Sequence, residues 1–341
     1  MVIEHGGALD RAVAQYGGQV EDWLDLSTGI NPEAFPIPGM NAEIWNRLPD
    51  QRVLDNALQS ARDYYGVPSS AGIMAGPGTQ ALIQIIPELV APGDACILWP
   101  TYEEHEASFV RAGWKVSHSR RLEDIPDAAK VVAVVNPNNP DGRIAPVQEL
   151  IPLADRLAAK GGFLVVDEAF ADPHPEMSIA AHAGREGLIV LKSFGKFFGL
   201  AGLRLGFAIT DRRFAGRLSE RLGPWAVSGP ALVIAAHAFS GGEALQNFTE
   251  RLAERRQRLS VVFPQSGLRE AGGTMLFSLV ETRAAQEIYE ALCEQRVLVR
   301  KFAYAPNWLR FGLPLDEADA QRLGSALEIA VARTNAFLPR I

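Results

Sequence analysis

The stretch that decides the fold opens with Val131-Val132-Ala133-Val134-Val135 and the loop Asn136-Pro137-Asn138-Asn139-Pro140-Asp141-Gly142. It continues through an amphipathic run from Val147 to Ala159 and the stop Lys160-Gly161-Gly162, and ends in a second apolar run, Phe163-Leu164-Val165-Val166, before Asp167. Apolar residues that run on without alternating mark strands covered on both faces. A helix between two of them marks a crossover, and glycines after a lysine suit its end. The pattern repeats outward, with strand candidates Ala95 to Leu98, Leu188 to Leu191 and Gly206 to Ile209, and helix candidates Thr79 to Val90 and Glu103 to Ala112. The expected fold class is α/β, with a large doubly wound, mostly parallel sheet.

Past Trp225 the pattern changes to helices, Pro230 to Ser240 and Gly242 to Val262. Short strands near Met275 to Leu279 and Val297 to Val299 follow, then a last helix from Asp316 to Ala336. This predicts a smaller α+β domain over 230–341, a large domain over 41–229, and a Gly- and Pro-rich arm over 1–40 that packs with the small domain. A length of 341 residues suits about two domains at roughly 150 residues each.

Composition narrows the function. Lys and Arg number 33 against 40 Asp and Glu, a formal net charge of −7, which gives no electrostatic footprint for nucleic acid. The most apolar span, Val227 to Gly242, contains Ser228, Pro230 and His237 and falls short of the roughly 18 apolar residues a bilayer requires, so no membrane partner is expected. Met1 to Gly7 has neither a basic nor an apolar leader segment, and no secretory signal is expected. Cys96 and Cys293, the chain's 2 cysteines, make neither a disulfide framework nor a zinc motif, so we expect no metal and a reducing, cytoplasmic setting.

Ligands of a parallel α/β sheet bind beyond the carboxyl ends of its strands. Those ends carry Asn136 to Gly142, Asp167-Glu168 and Lys192 to Lys196, and Gly76-Pro77-Gly78-Thr79-Gln80 precedes a helix. Each has two readings. The Asn/Pro run also reads as an ordinary turn. Gly78-Thr79 reads as a helix cap or as a phosphate cradle. Asp167 reads as a solvated strand end or as a part-buried carboxylate that needs a cation. Lys196 reads as a snorkelling lysine or, among Gly and apolar neighbours, as a desolvated amine.

Taken together they resemble one family. Ser193-Phe194-Gly195-Lys196 through Arg204-Leu205-Gly206 is similar to the SxxKxxxxxGxRxG motif of fold-type I pyridoxal 5′-phosphate enzymes, aminotransferase class I/II, and NNPDG and DEAF stand in the family's order before it. The resemblance implies that Lys196 condenses with the cofactor's aldehyde and that Asp167 keeps its ring nitrogen protonated. It implies that Ser193, Arg204 and the Gly78-Thr79-Gln80 helix start hold the phosphate, that Asn139 bonds the phenolic oxygen, and that Tyr102 stacks on the ring. Arg310, in Trp308-Leu309-Arg310-Phe311-Gly312, matches the arginine that grips a substrate α-carboxylate. A homodimer is implied as well.

The arm narrows the reaction. His5-Gly6-Gly7, Asp25-Leu26-Ser27-Thr28-Gly29-Ile30-Asn31-Pro32 and Pro224-Trp225-Ala226-Val227-Ser228 resemble the branch that decarboxylates L-threonine O-3-phosphate in cobalamin biosynthesis. The implied substrate is a phosphorylated amino acid, with His5, Gly29, Asn31 and Arg300, and Lys301 beside it, as candidate contacts. A histidinol-phosphate type of aminotransferase is the alternative; release of carbon dioxide without a 2-oxo acid separates the two. A cofactor-binding sensor would need a DNA-binding module, which we expect neither before residue 1 nor after residue 341. Phe170 stands where aminotransferases carry a tyrosine, which leans toward decarboxylation, whereas Leu48, Ala8 and Ser228 replace a tyrosine and two asparagines of the pattern.

Overall fold

The computed structural model describes residues 5–337. The reading of Met1–Glu4 as lacking an export signal lies outside them. The chain divides into two compact units: one holds the described residues up to Glu33, Pro140–Gly142 and those from Phe248 on; the other holds Ala34–Asn139 and Arg143–Asn247.

In the first unit the arm contributes β1 (Leu24–Asp25). The second unit is built on a seven-stranded sheet of β2 (Gly72–Gly76), β3 (Asp94–Leu98), β4 (Lys115–Ser119), β5 (Val131–Val135), β6 (Phe163–Asp167), β7 (Leu188–Ser193) and β8 (Gly206–Thr210), in the order β2-β8-β7-β6-β5-β3-β4. Strands β4, β3, β5, β6 and β7 pair in parallel, while β8 runs antiparallel to both β7 and β2. The central strands are apolar without alternation because both faces are covered. Every residue of β5 and β6 is buried, and each buried Val or Leu contributes roughly 1.5–3 kcal/mol. The crossover between them is the helix Val147–Ala158, which buries Leu150, Leu153, Ala154 and Leu157, one face at helical spacing. It ends where the Gly162 N–H bonds the Leu157 carbonyl at 2.9 Å.

In this sheet the five expected strands are found, and two more appear. β4 is an edge strand whose Lys115, Ser117 and His118 are exposed, so it carries no apolar signal. β2 is bracketed by Gly72 and Gly76 and is too short in apolar residues to announce itself. Pro87 ends the helix expected to reach Val90: Thr79–Ile85 is α-helical and Ile86–Glu88 a 3-10 turn.

The first unit continues with β9 (Glu270–Thr274), β10 (Phe277–Glu281), β11 (Val297–Leu298), β12 (Arg300–Phe302) and β13 (Ala305–Gly312). β12-β13-β10-β9 form an antiparallel sheet, and β1 pairs in parallel with β11, which ties the arm to this unit. The division falls at Asn247/Phe248 rather than at the expected 229/230. The reason is aromatic packing: Phe239, at the end of the helix Gly229–Phe239, stacks on Tyr64 and meets Tyr65, Phe194, Phe198 and Phe207, all in the seven-stranded unit. No helix among the described residues is long and apolar enough to cross a membrane.

Candidate active site

The carboxyl ends of β5, β6 and β7 gather the polar residues of the second unit. Asp167 ends β6 and is 3% exposed. A carboxylate so buried needs donors. It has the ring of His105, 3.0 Å from Nε2 to Oδ2, and the Ala169 N–H, 3.1 Å from Oδ1. The sequence reading missed His105. Its signal is the three-residue spacing from Tyr102: Tyr102 lies just before the helix Glu104–Arg111 and His105 in its first turn, the His105 N–H bonds the Tyr102 carbonyl at 3.3 Å, and the two rings meet edge to face at 6.3 Å.

Tyr102 is held from a second side. Its hydroxyl donates to Gln80 Oε1 at 2.9 Å, and Gln80 Nε2 donates to Glu104 at 2.7 Å. The Gln80 side chain therefore links the Tyr102 hydroxyl to Glu104, while its backbone belongs to the start of the helix Thr79–Ile85. Asn139 is half-buried in the loop after β5, and its neighbour Asn138 accepts from the Thr101 hydroxyl at 2.6 Å.

Lys196 lies on the single helical turn Phe194–Phe197 that follows β7, half-buried, with Nζ 5.7 Å from the centre of the Phe170 ring. Phe170 is itself buried, three residues past Asp167. Ser193, the last residue of β7, is buried. Around it the backbone is cleared. Gly78 has φ +81, and a Cβ there would come within 3.0 Å of Arg204 Nη2. A Cβ on Gly206 would meet the Thr79 nitrogen at 2.6 Å. Arg204, exposed and in the left-handed region with φ 52, thus lies against the start of the helix Thr79–Ile85. A hydroxyl, a guanidinium and bare backbone suit a phosphate. A buried carboxylate, an amine and an aromatic ring suit a protonated heteroaromatic aldehyde. The donor set fits the expected cofactor.

The candidates for the substrate lie in the first unit. Arg310, on β13, is 6% exposed; its Nη2 donates to the Ser27 carbonyl at 2.8 Å, and its guanidinium sits 5.0 Å from the Phe277 ring centre. Burial, and then the cation of Arg300, pull its pKa down to about 10, so it remains charged at neutral pH. Arg300 is its register partner on β12. The arm motifs close on the same place: the Gly7 N–H donates to Ser27 Oγ at 2.7 Å, and Ser27 Oγ donates to Asp25 at 2.6 Å. His5 is exposed, Gly29 is buried, and buried Asn31 accepts from the Glu33 N–H at 3.2 Å. Lys301 lies over the Tyr289 ring at 4.7 Å. Of the positions that depart from the pattern, Ser228 caps the helix Gly229–Phe239, accepting from the Ala231 N–H at 3.4 Å, and Leu48 is exposed.

The aminotransferase class I and II family matches residues 21–327. The chain belongs to that family. It is 45% identical to a threonine-phosphate decarboxylase of a Sinorhizobium species, over 95% of this chain and 97% of the relative. A threonine-phosphate decarboxylase of Pseudomonas aeruginosa is 42% identical, over 96% of this chain and 97% of its own length. Among solved structures, the histidinol-phosphate aminotransferase from Sinorhizobium meliloti in complex with pyridoxal 5′-phosphate matches with a TM-score of 0.80 at 20% identity, covering 98% of this chain and 96% of that one. That likeness shows the shared fold of the aminotransferase family.

Proposed function

We propose that the chain decarboxylates L-threonine O-3-phosphate to (R)-1-amino-2-propanol O-2-phosphate, in cobalamin biosynthesis. The observation that carries this is the likeness, at 45% and 42% identity along nearly the whole chain, to threonine-phosphate decarboxylases. The cofactor is pyridoxal 5′-phosphate, which supplies an electron sink for the bonds at Cα when it is bound.

The chain's own residues divide the remaining work. Ser193, Arg204 and the backbone at Gly78 and Thr79 hold the cofactor phosphate. Asp167, backed by His105, is the acid that answers the ring nitrogen. Tyr102, fixed by Gln80, and Asn139 orient the ring. Lys196 anchors the cofactor and then delivers a proton to Cα. The overall balance is simple: the bond from Cα to the carboxylate breaks, carbon dioxide leaves, and a proton takes its place. No electrons are gained or lost, so no 2-oxo acid is needed. Arg310 takes the α-carboxylate, and Arg300, His5, Gly29 and Asn31 serve the substrate's phosphate. Binding energy at groups remote from the reacting bond is how such an enzyme sets which bond breaks. Phe170, lacking a tyrosine's hydroxyl, leaves the phenolic oxygen to Asn139. The proposal includes a cytoplasmic homodimer, in keeping with two buried free thiols.

The test is to mix protein, cofactor and L-threonine O-3-phosphate with no oxo acid present. Carbon dioxide and the phosphorylated aminopropanol in equal amounts support the reading. No carbon dioxide in that mixture, with amine transfer once 2-oxoglutarate is added in a parallel mixture, refutes it.

A further inference from the structure

Behind the cofactor residues, the next residue along each strand carries a charge that the reaction does not use. Glu168 follows Asp167, and Lys192 precedes Ser193. Their side chains form an ion pair of 2.6 Å, with Glu168 0% and Lys192 2% exposed. Glu168 is fully engaged: Oε1 accepts from the Ile179 N–H at 2.7 Å, and Oε2 accepts from the Ser178 hydroxyl at 2.5 Å as well as from Lys192. Lys192 also donates to Ser178 Oγ at 3.1 Å and lies 4.8 Å from the Tyr65 ring centre. A third member, Asp172, is 8% exposed; the Tyr65 hydroxyl reaches its Oδ2 at 3.3 Å, while no hydrogen bond reaches Oδ1.

Burying a lysine and two carboxylates together is an expensive way to join two strands, because apolar residues of equal volume usually hold a core as well or better. The cluster does something an apolar patch would not. It fastens the end of β6 to the end of β7 and draws the Ser178–Ile179 segment back onto Glu168, closing the loop that follows Asp167 and bears Phe170. It also sets a fixed charge one residue from the acid and one from the Ser193 hydroxyl.

We propose that Glu168 and Lys192, with Asp172, are positioning residues of the cofactor site, which fix the spacing and the field of the strand ends that present Asp167, Ser193 and Lys196. This rests on the cofactor reading through those three residues. The ionisable groups around the pair are Asp172, Tyr64 and Tyr65, with His105 and Asp167 at the same strand end.

The experiment uses full-length protein freed of cofactor and titrated with pyridoxal 5′-phosphate, reading the dissociation constant, the pH midpoint of the bound cofactor's visible band and the melting temperature. Lys192→Met leaves Glu168 uncompensated, so the midpoint moves up. Glu168→Gln leaves Lys192 in excess, so the midpoint moves down, by less, because Asp172 supplies a second anion. The double variant Glu168→Leu/Lys192→Met melts at or above the wild-type temperature yet binds the cofactor about tenfold more weakly, the coupling expected within one network. Lys192→Arg restores affinity to within about threefold.

A double variant that folds and binds as wild type does would overturn the proposal and leave the pair merely structural. If the double variant does not fold, single variants that shift the midpoint in the same direction, or not at all, overturn it. Wild-type protein that fails to bind the cofactor would instead overturn the underlying reading, so the two failures are distinct.

Discussion

Asp167 and Arg310 are both buried ions, and the two regions around them treat charge in opposite ways. In the seven-stranded unit an acid is answered from within, by the His105 ring and the Ala169 N–H. In the other unit cations are gathered: Arg310 and Arg300 are register partners, and burial together with that neighbour holds Arg310 down at about 10. A region that sets like charges side by side is arranged for an anion from outside. On the proposed function, the seven-stranded unit tunes the cofactor, and the other selects a substrate with more than one negative group.

The sharpest way to break that contrast is to separate chemistry from recognition. Lys196→Ala should lower carbon dioxide release about 10⁴-fold, the upper range for losing a positioned acid–base group, with substrate affinity little changed. Arg310→Met should act on the other side, cutting kcat/KM about 10²-fold mainly through KM, as expected for truncating a buried ion that meets a charged partner, while the cofactor's dissociation constant stays at the wild-type value. If Arg310→Met weakens the cofactor as much as the substrate, the two regions do not have separate tasks.

Asp172 sharpens the comparison through stability. Burial, the largest influence, raises its pKa from 3.8 to about 6 against the pull of Lys192. A carboxyl raised in the folded state binds its proton more tightly there, so its contribution to stability is greatest below about pH 4 and is lost as pH rises toward 6. Raising a carboxyl from 3.8 to about 6 on folding corresponds to on the order of 3 kcal/mol. Asp172→Asn should therefore be the more stable protein above pH 6 by that order, with the gap closing below pH 4, measured by urea unfolding across the range. The smallest effect is expected at His105. His105→Leu should weaken cofactor binding by about tenfold, the scale of a lost buried hydrogen bond to a charged group, without altering the KM for substrate beyond twofold.

Much of this was legible in the chain. Unbroken apolar runs such as Val131–Val135 announced the parallel core, and the residues just past them, Asp167 and Lys196, took the expected strand ends. What escaped depends on packing. β4 is polar because only one of its edges is paired. The division at Asn247/Phe248 follows from Phe239 meeting aromatics far away in sequence, such as Tyr64. His105 and Lys192 look like surface residues until the fold closes over them, since a charged side chain declares its burial only through partners such as Asp167 and Glu168.

The most direct test of the account is reduction of the cofactor-loaded protein with borohydride, followed by peptide mapping. One pyridoxyl-bearing peptide is expected, modified at Lys196, in full yield, and none in Lys196→Ala. Label on Lys192 or on any other lysine, with position 196 unmodified, would contradict it.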